Sequence, residues 1–379
     1  MFNLSGEEKS WIDEIWNKLD SKLSKTAIKS YDKLPYTSIN GTHDDRSGEE
    51  GIDWWTNGFW PALMILMYDA TKNEQYLKTA RHGMDKLDEL FYSKIDALHH
   101  DVGFMWNISS GADYRITGDK KERNRFLLAA NTLMGRYNDA GKYICAWNGE
   151  DKKGWAIIDC MMNIPLLYRA SEETKDDRFK MVAMNHADTT MKFHVRADGS
   201  CNHVNEYDYM NGGFVTNHTG QGYGEYQLSS WSRGQAWALY GFVLSYIFTK
   251  KTDYLDTAKR VAHYFIANVC TTDWIPLCDF RAPETPVIYD STAGACAACG
   301  LLEIANSVND LEKNMYISAA INILKALEKK CCNWEDNEDA ILLMGTERYG
   351  YGEHMPIIYG DYFFAEAIYK LKGFKTLFW

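Results

Sequence analysis

Two carboxylates occupy positions where they could carry out acid–base chemistry. Asp159 lies in an apolar stretch, between Ile158 and Cys160. A carboxyl group with apolar neighbours loses hydration, which favours its protonated form, and a second carboxylate nearby, such as Asp101, would favour that form further. A carboxyl group that stays protonated near neutral pH can act as a general acid. The alternative interpretation is a buried aspartate whose oxygens are satisfied by caps and hydrogen bonds.

An arginine between two tryptophans suggests a site for an acidic sugar. Arg233 lies between Trp231 and Trp237. A guanidinium can pair with the carboxylate of such a sugar, and the indole rings can stack on the sugar or on the cation. A purely structural cation–π pair is the alternative. His203 and Gln221 lie in long loops and could bind ligand hydroxyl groups, although each could equally be an ordinary surface residue.

An internal repeat predicts the elements that position these residues. An aromatic residue followed four positions later by alanine recurs in amphipathic stretches, at Tyr76 and Ala80, Phe126 and Ala130, Phe179 and Ala183, Tyr254 and Ala258, and Tyr316 and Ala320. Each copy follows a more apolar helical segment that should be largely buried. Four of these segments are Trp60 to Tyr68, Ile157 to Tyr168, Trp237 to Phe248 and Ala293 to Val308.

A sixth hairpin would pair the apolar segment from Tyr362 to Leu371 with the N-terminal helix. That helix begins with a capping box formed by Ser5 and Glu8. Six helical hairpins in a closed ring make an all-α (α/α)6 barrel, and we find no linker that would divide residues 1–379 into more than a single domain. Strand signals are weak, and we interpret the regions from Asn205 to Ser230 and from Thr271 to Tyr289 as long functional loops.

The inner helices of such a ring run in the same direction, so their N-terminal ends meet at one mouth. The segments before these helices carry Trp55, Asp101, Asp159, Arg233, Asp290 and Asp361. We interpret Asp290 and Asp361 first as helix caps. Capping alone does not account for six polar or aromatic segments that converge, so the pattern predicts a ligand cavity at the mouth.

Composition excludes several function classes. The net charge is −11 and the basic residues are scattered, which argues against nucleic acid or an acidic membrane surface as partner. No stretch of about 18 apolar residues could span a membrane. The start of the chain does not resemble a signal peptide, and nine irregularly spaced cysteines suit a reducing compartment, so we expect a cytoplasmic protein. Cys296 and Cys299 form a CxxC pair in a helical pattern, which we interpret as core residues and not as a zinc or redox site.

Several motifs make the sequence resemble the unsaturated glucuronyl hydrolases, glycoside hydrolase family 88. They lie, in the family's order, at residues 55–60, 100–104, 146–147, 158–163, 231–241, 299–305 and 360–363, so the resemblance covers nearly the whole chain. It implies an (α/α)6 barrel. It also implies hydration of the C4=C5 double bond of the unsaturated uronic acid at the non-reducing end of lyase-generated glycosaminoglycan fragments of chondroitin, hyaluronan or heparin type. The family needs no metal or organic cofactor, and we expect a monomer or weak dimer.

The resemblance also assigns roles to individual residues. Asp159 matches the acid that protonates C4 and then helps to activate water, and Asp101 matches the carboxylate that tunes and positions it. The residues that match the sugar site are Trp55, His100, Trp147, His203, Gln221, Arg233 and Trp237.

Two regions depart from the family pattern. The family has His-Gln-Gly before the arginine motif, and here Gln221 takes the glutamine position, with His218 as a second candidate for part of that role. The Ser/Lys cluster of members that favour sulfated substrates is missing, and Arg348 and His354 lie in that region instead. Two alternative functions are an unsaturated rhamnogalacturonyl hydrolase acting on pectin fragments and a non-catalytic sugar-binding toroid. The presence of both Asp101 and Asp159 argues against the toroid.

Overall fold

The computed structural model describes residues 2–218, 220–224 and 229–379, and most of them are helical. The α-helices are α1 (Gly6–Lys29), α2 (Phe59–Thr71), α3 (Glu74–Ser93), α4 (Val102–Trp106), α5 (Ala112–Thr117), α6 (Lys120–Met134), α7 (Pro165–Thr174), α8 (Asp177–Phe193), α9 (Ser232–Thr249), α10 (Thr252–Val269), α11 (Ser291–Ser307), α12 (Asp310–Cys331) and α13 (Ile358–Lys372). A π-helical turn, Asn107–Gly111, joins α4 to α5, and short 3-10 turns cover Trp55–Gly58, Ile95–Ala97, Glu150–Lys152 and Ile158–Met162.

The helices form hairpins that close into a ring. Across the described residues the inner layer consists of α2, α4 with α5, α7, α9, α11 and α13, and the outer layer of α3, α6, α8, α10, α12 and α1. Neighbouring inner helices contact one another, and α13 packs against both α2 and α1, which closes the ring. This is the (α/α)6 arrangement that the repeat predicted.

A recurring connection joins the inner helix of a hairpin to the outer one. Three inner helices end at a lysine in the left-handed conformation: Lys72, Lys175 and Lys250 have φ angles of 57°, 60° and 59°. At two of these connections the next residue, Asn73 or Asp176, caps the outer helix by accepting a backbone N–H with its side chain. Because a left-handed residue stops a helix and a side-chain cap starts the next one, this pattern sets the tight turn between the two layers.

Two local predictions are wrong. The segment from Ile157 to Tyr168 is not one helix, since it begins with the end of a strand and the turn Ile158–Met162, and α7 starts only at Pro165. Asp361 does not cap α13, whose N-cap is Ile357; its carboxylate instead accepts backbone N–H groups from an adjoining segment, at residues 341 and 342. Burial raises the pKa of Asp361 to about 7.

Short antiparallel strands lie among the loops. They are β1 (Ser38–Ile39), β2 (Thr42–His43), β3 (Tyr137–Asn138), β4 (Tyr143–Ile144), β5 (Trp155–Ile157), β6 (Val204–Tyr207) and β7 (Phe214–His218), and β5, β6 and β7 form a three-stranded sheet in that order. The predicted loop from Asn205 to Ser230 therefore contains most of a β-hairpin, formed by β6 and β7. Residues 219 and 225–228 lie outside the described part of the chain.

The two faces of this sheet have different surroundings. Ala156 and Tyr207 face Tyr143 of β4 and Phe193 of α8, so one face of the sheet packs on the ring. On the other face Ile157 and Val204 form a small cluster to which Trp147 and Trp155 add their half-buried rings. On this second face Ile157 and Val204 are buried, and β5 leads on to the turn that carries Asp159.

The last residues of the chain fill the axis of the ring. Trp379 is fully buried, and its ring lies parallel to Phe363 with centroids 5.8 Å apart and edge-on to Phe104 at 6.0 Å. Its indole N–H donates to Glu366 Oε2 at 3.2 Å, and its carbonyl accepts from Arg169 Nε at 2.9 Å. The segment after α13 therefore closes the end of the ring at which the inner helices finish.

The two cysteines of the CxxC pair lie in the core of the ring. Cys296 and Cys299 are free thiols that are fully buried in α11, which confirms their interpretation as core residues. Among the helices of the described residues, none combines the length and apolar composition that a membrane span requires.

Candidate active site

Asp159 lies in the turn that directly follows β5. The backbone N–H of Ile158 donates to the carbonyl of His203 at 3.0 Å, which holds this turn against the start of β6. Asp159 Oδ1 lies 3.3 Å from His203 Nε2. This oxygen is buried and has no hydrogen-bond partner among the described residues. A buried carboxyl oxygen that the protein leaves unpaired is available to a ligand.

The loop at Gln221 fixes the orientation of the imidazole. The backbone N–H of Gln221 donates to His203 Nδ1 at 3.0 Å, so in the neutral ring the proton resides on Nε2, which faces Asp159. The ring also packs on Trp231, with centroids 4.3 Å apart. A Cβ atom at Gly220 would lie 1.7 Å from Nδ1, so only glycine lets the loop approach this closely.

Asp101 lies at the N-terminal end of α4, enclosed by polar partners. Asn163 Nδ2 donates to its Oδ1 at 3.0 Å, His100 Nε2 lies 3.4 Å from Oδ1, and His99 Nδ1 lies 3.3 Å from Oδ2. Burial alone would raise the pKa of Asp101, but His100, His99 and Asn163 outweigh it, and the pKa falls below the ordinary value. Asp101 is therefore held as a carboxylate.

Asn163 links the two acidic residues. Its Nδ2 also donates to the backbone carbonyl of Asp159 at 3.2 Å, and its Oδ1 accepts the N–H of Phe104 at 2.8 Å. Close packing against Gly103, where a Cβ would lie 2.5 Å from Asn163 Cα, locks this arrangement. The sequence places Asn163 in a motif, but no local signal there shows that its amide joins Asp101 to Asp159.

A metal ion could be held only by a histidine–aspartate group within the described residues. Ligand atoms of His99, His100 and Asp101 lie within 4.8 Å of one another. The same contacts satisfy both oxygens of Asp101 without an ion, as the depressed pKa of that carboxyl indicates. That the activity needs no cofactor stays a prediction.

Arg233 is engaged by the protein itself. Its guanidinium is buried, with Nη1 3.1 Å from Asp290 Oδ2 and 2.7 Å from the carbonyl of Thr346. Nη2 donates to Gln221 Oε1 at 3.1 Å and to the carbonyl of Glu347 at 2.6 Å. Arg233 therefore ties the start of α9 to two loops of the mouth, and direct contact with a substrate stays a prediction.

Asp290 both caps α11, as predicted, and pairs with Arg233. Its side chain accepts the N–H of Thr292, which confirms it as the N-cap of α11. The second oxygen faces Arg233 at 3.1 Å.

The predicted aromatic residues lie at different depths. Trp55 is half-buried and stacks on Tyr359 with centroids 5.2 Å apart, and Trp147 is half-buried beside Trp155 at 5.7 Å. Trp237 is fully buried, with its ring centroid 6.2 Å from that of Tyr359. Trp55 and Trp147 are thus the partly exposed members of the predicted aromatic set, and Trp237 is a core residue.

A buried aspartate that sequence analysis did not single out organises the loop around Gln221. Asp279 accepts the N–H groups of Tyr223 and Ser230 and the hydroxyl of Ser229, at 2.7 to 3.0 Å. A Cβ at Gly222 would lie 2.5 Å from its Oδ2. Burial raises the pKa of Asp279. Because these three partners lie about fifty positions away in sequence, no local pattern could have shown that Asp279 holds this loop.

Arg348 and His354, which lie where other family members carry the Ser/Lys cluster, have different surroundings. His354 Nε2 accepts the backbone N–H of Tyr289 at 3.0 Å, so the imidazole supports a loop. Arg348 is exposed, and its guanidinium lies 4.7 Å from the ring centroid of Tyr351.

Comparison with known proteins places this arrangement in a family. Residues 21–282 match Glycosyl Hydrolase Family 88. The chain belongs to this family. It is 36% identical over 338 residues to an unsaturated glucuronyl hydrolase from Bacillus sp. (strain GL1), covering 86% of this chain and 88% of the relative. It is 33% identical over 334 residues to an unsaturated chondroitin disaccharide hydrolase from Streptococcus pyogenes serotype M1, covering 86% and 83% of the two chains.

Solved structures of family 88 agree with the fold. The crystal structure of an unsaturated glucuronyl hydrolase from Streptococcus agalactiae superposes with a TM-score of 0.90 at 29% identity, over 100% of this chain and 95% of that one. That of the Bacillus sp. GL1 enzyme, described as responsible for the degradation of glycosaminoglycan, superposes with a TM-score of 0.85 at 33% identity, over 94% and 97% of the chains. The predicted fold and the predicted class, an unsaturated glucuronyl hydrolase family enzyme, are confirmed. The roles of individual residues stay predictions.

Proposed function

We infer that this family 88 enzyme removes the 4,5-unsaturated uronic acid from the non-reducing end of lyase-generated glycosaminoglycan oligosaccharides, with an unsaturated chondroitin-type disaccharide as its simplest substrate. Asp159 is the acid in this proposal. The observation that carries it is the buried Oδ1 of Asp159, which accepts no hydrogen bond from the described residues and faces the Nε2 of an oriented His203 3.3 Å away.

The surroundings of the two carboxyl groups support different roles for them. Asp101 is held as a carboxylate by His100, His99 and Asn163, so it is a poor source of a proton. Asp159 Oδ1 accepts no hydrogen bond from the described residues, and it lies 3.3 Å from the Nε2 of a histidine that the Gln221 loop orients. In the proposal, Asp159 therefore delivers the proton, and Asp101 fixes it through the amide of Asn163.

The proposed reaction starts at the double bond and not at the anomeric carbon. Asp159 gives its proton to C4, the electron pair of the C4=C5 bond forms the new C4–H bond, and the ring oxygen shares the positive charge left at C5. Water adds to C5 while its proton passes back to the Asp159 carboxylate, which restores the acid. The hemiketal then opens and rearranges, and the glycosidic bond breaks to release the remaining sugar.

The loss of ultraviolet absorbance of the conjugated acid tests this proposal, because hydration removes the double bond. We expect the absorbance of an unsaturated chondroitin disaccharide to fall when the wild-type protein is added. Asp159→Asn should slow the rate of this fall by on the order of 10²-fold or more, as for a lost general acid. Asp139→Asn is the matched control, since Asp139 is exposed and paired with Lys142 on the surface. A fully active Asp159→Asn protein would refute the assignment. Faster turnover of an unsaturated rhamnogalacturonan disaccharide would shift the substrate class to pectin fragments.

A further inference from the structure

Three consecutive residues at the N-terminal end of α4 bring together ligand types that zinc prefers. His99 Nδ1 lies 3.3 Å from Asp101 Oδ2, and His100 Nε2 lies 3.4 Å from Asp101 Oδ1. Ligand atoms of all three residues lie within 4.8 Å of one another, which holds for no other group of histidine, cysteine and acidic side chains in the described part of the chain. Two imidazoles and one carboxylate form a known ligand set of zinc sites that keep a fourth position open.

The spacing of these atoms suits a shared ion. Zinc bonds of about 2.0–2.1 Å in a tetrahedral arrangement place neighbouring ligand atoms about 3.4 Å apart. Both nitrogen-to-oxygen distances are close to this value, whereas a charge-assisted hydrogen bond is shorter, at about 2.7–2.9 Å. His100 Nδ1 is buried and has no hydrogen-bond partner among the described residues, so no such bond opposes a small movement of this ring towards an ion.

One nitrogen of the group cannot satisfy both of its neighbours. The backbone N–H of Asp101 lies 3.4 Å from His99 Nδ1 and needs it as an acceptor, while Asp101 Oδ2 needs the same atom as a donor. In a neutral imidazole each nitrogen is either a donor or an acceptor. A metal ion between His99 Nδ1 and Asp101 Oδ2 would take up the lone pairs of both atoms. The contacts that hold Asp101 without an ion therefore also leave a place for one.

The surroundings of the group allow a cation to approach. The His99 side chain is 24% exposed, so it can be reached from solvent. Asp53 adds a second carboxylate near this ring, and Arg136 is a cation near it. The guanidinium of Arg136 donates to Asn148 Oδ1 at 2.8 Å and to backbone carbonyls. Two carboxylates, Asp53 and Asp101, against one guanidinium leave the local charge favourable for a cation.

An ion at Asp101 would act on Asp159 through the residue that joins them. Asn163 Nδ2 donates to Asp101 Oδ1 at 3.0 Å and to the backbone carbonyl of Asp159 at 3.2 Å. A divalent cation this close favours the carboxylate form of Asp159 over its acid form. Because the proposed reaction begins with the acid form, a bound ion would remove the proton that C4 needs.

We propose that His99, His100 and Asp101 form a binding site for a divalent transition-metal ion such as Zn²⁺, and that an ion bound there inhibits the enzyme. The binding follows from the geometry of the three side chains alone. The inhibition rests on the function inferred above, so the two parts are measured separately.

Calorimetric titration of the full chain with Zn²⁺ measures the binding directly. We expect one ion per chain at the tightest site of the wild type. His99→Gln should weaken this binding at least about tenfold, since even the loss of a residue that only supports a ligand costs about 10–100-fold in metal affinity. Co²⁺ provides a second measurement, because its visible absorption reports tetrahedral coordination. Equal Zn²⁺ affinities of the wild-type and His99→Gln proteins would overturn the site.

The absorbance assay with the unsaturated chondroitin disaccharide measures the inhibition. The rate of each protein with Zn²⁺ is divided by its own rate in the presence of a chelator, so a change in basal activity does not affect the comparison. The half-inhibitory Zn²⁺ concentration should rise at least about tenfold in His99→Gln. It should stay unchanged in the matched control His82→Gln, since His82 is a histidine of α3 that pairs with Asp32 at 2.7 Å.

The outcomes separate the metal site from the inferred function. Zn²⁺ that binds at His99 without slowing the reaction would overturn the inhibitory role. Inhibition that persists in His99→Gln and disappears in Cys270→Ser would place the ion at the exposed thiol and overturn the proposal. If the wild-type protein hydrates no unsaturated disaccharide, the inferred function fails and the inhibitory role fails with it, while the titration still decides whether the metal site exists.

Discussion

Replacing Arg233 by methionine should destabilise the protein strongly. The Arg233 and Asp290 side chains are only 2% and 0% exposed and lie 3.1 Å apart. Removing one member of a buried ion pair leaves the other charge without compensation, which typically costs about 3–5 kcal/mol. Methionine keeps most of the volume of the side chain, so a cavity contributes little. The carbonyl groups of Thr346 and Glu347 also lose their donors, so we expect the free energy of unfolding to fall by at least about 3 kcal/mol.

Urea denaturation with linear extrapolation measures this change. The matched control is Arg178→Met, because Arg178 is 74% exposed and pairs with Asp176 at 2.6 Å. An exposed pair contributes at most about 1 kcal/mol, so this variant should remain close to the wild type.

A double substitution separates the ion pair from simple loss of packing. In Arg233→Met with Asp290→Asn, no buried charge is left unpaired, so the combined cost should be clearly smaller than the sum of the two single costs. A cost of less than about 1 kcal/mol for Arg233→Met, or strictly additive costs, would refute the reasoning that buried charge dominates at this site.

Two further substitutions test the loop and a buried acid. Gly220→Ala should lower activity at least about tenfold while the protein stays folded, because the methyl group would displace the loop that orients His203; Gly48→Ala, which has open space around it, should keep full activity. The pKa of Asp361 in the folded protein, about 7, exceeds its ordinary value of 3.8, so the folded state binds more protons between these values and stability falls as pH rises through that window. Asp361→Asn should remove this contribution, which is at most about 1.4 kcal/mol per pH unit. Urea unfolding at several pH values measures this contribution. If the free energies of unfolding of the wild type and Asp361→Asn fell in parallel as pH rose, the assignment to Asp361 would be contradicted.

The ring itself could be predicted because its signals are local. An aromatic residue and an alanine four positions apart lie on the same face of one helix, and this spacing recurs in five of the six outer helices, α1 being the exception. The connections at Lys72 and Lys175 are also local, since they depend on a few consecutive residues. The (α/α)6 architecture therefore follows from pattern alone.

The β5–β6–β7 sheet beside the candidate active site could be predicted only in part, because it depends on pairing between residues that are distant in sequence. The β5–β6–β7 sheet joins Ile157, Val204 and His218, and no strand in it exceeds five residues. Its one usable local signal is the turn at Asn211-Gly212-Gly213 between two short apolar stretches, which is typical of a β-hairpin. The sequence pattern did bring Asp159 and Asp101 to one mouth, but it could not show the amide that joins them.

The aromatic side chains that fill the axis of the ring limit which part of a sugar chain could reach Asp159. Trp379, Phe363 and Phe104 pack against one another in the core, so side chains fill the axis of the ring. A polymer cannot thread through a ring whose axis is filled, so under the proposed function only the tip of a chain would reach Asp159. The products must then leave through the opening by which the substrate entered. A ring that is closed at one end in this way favours trimming from one terminus, one residue at a time, over cleavage in the middle of a chain.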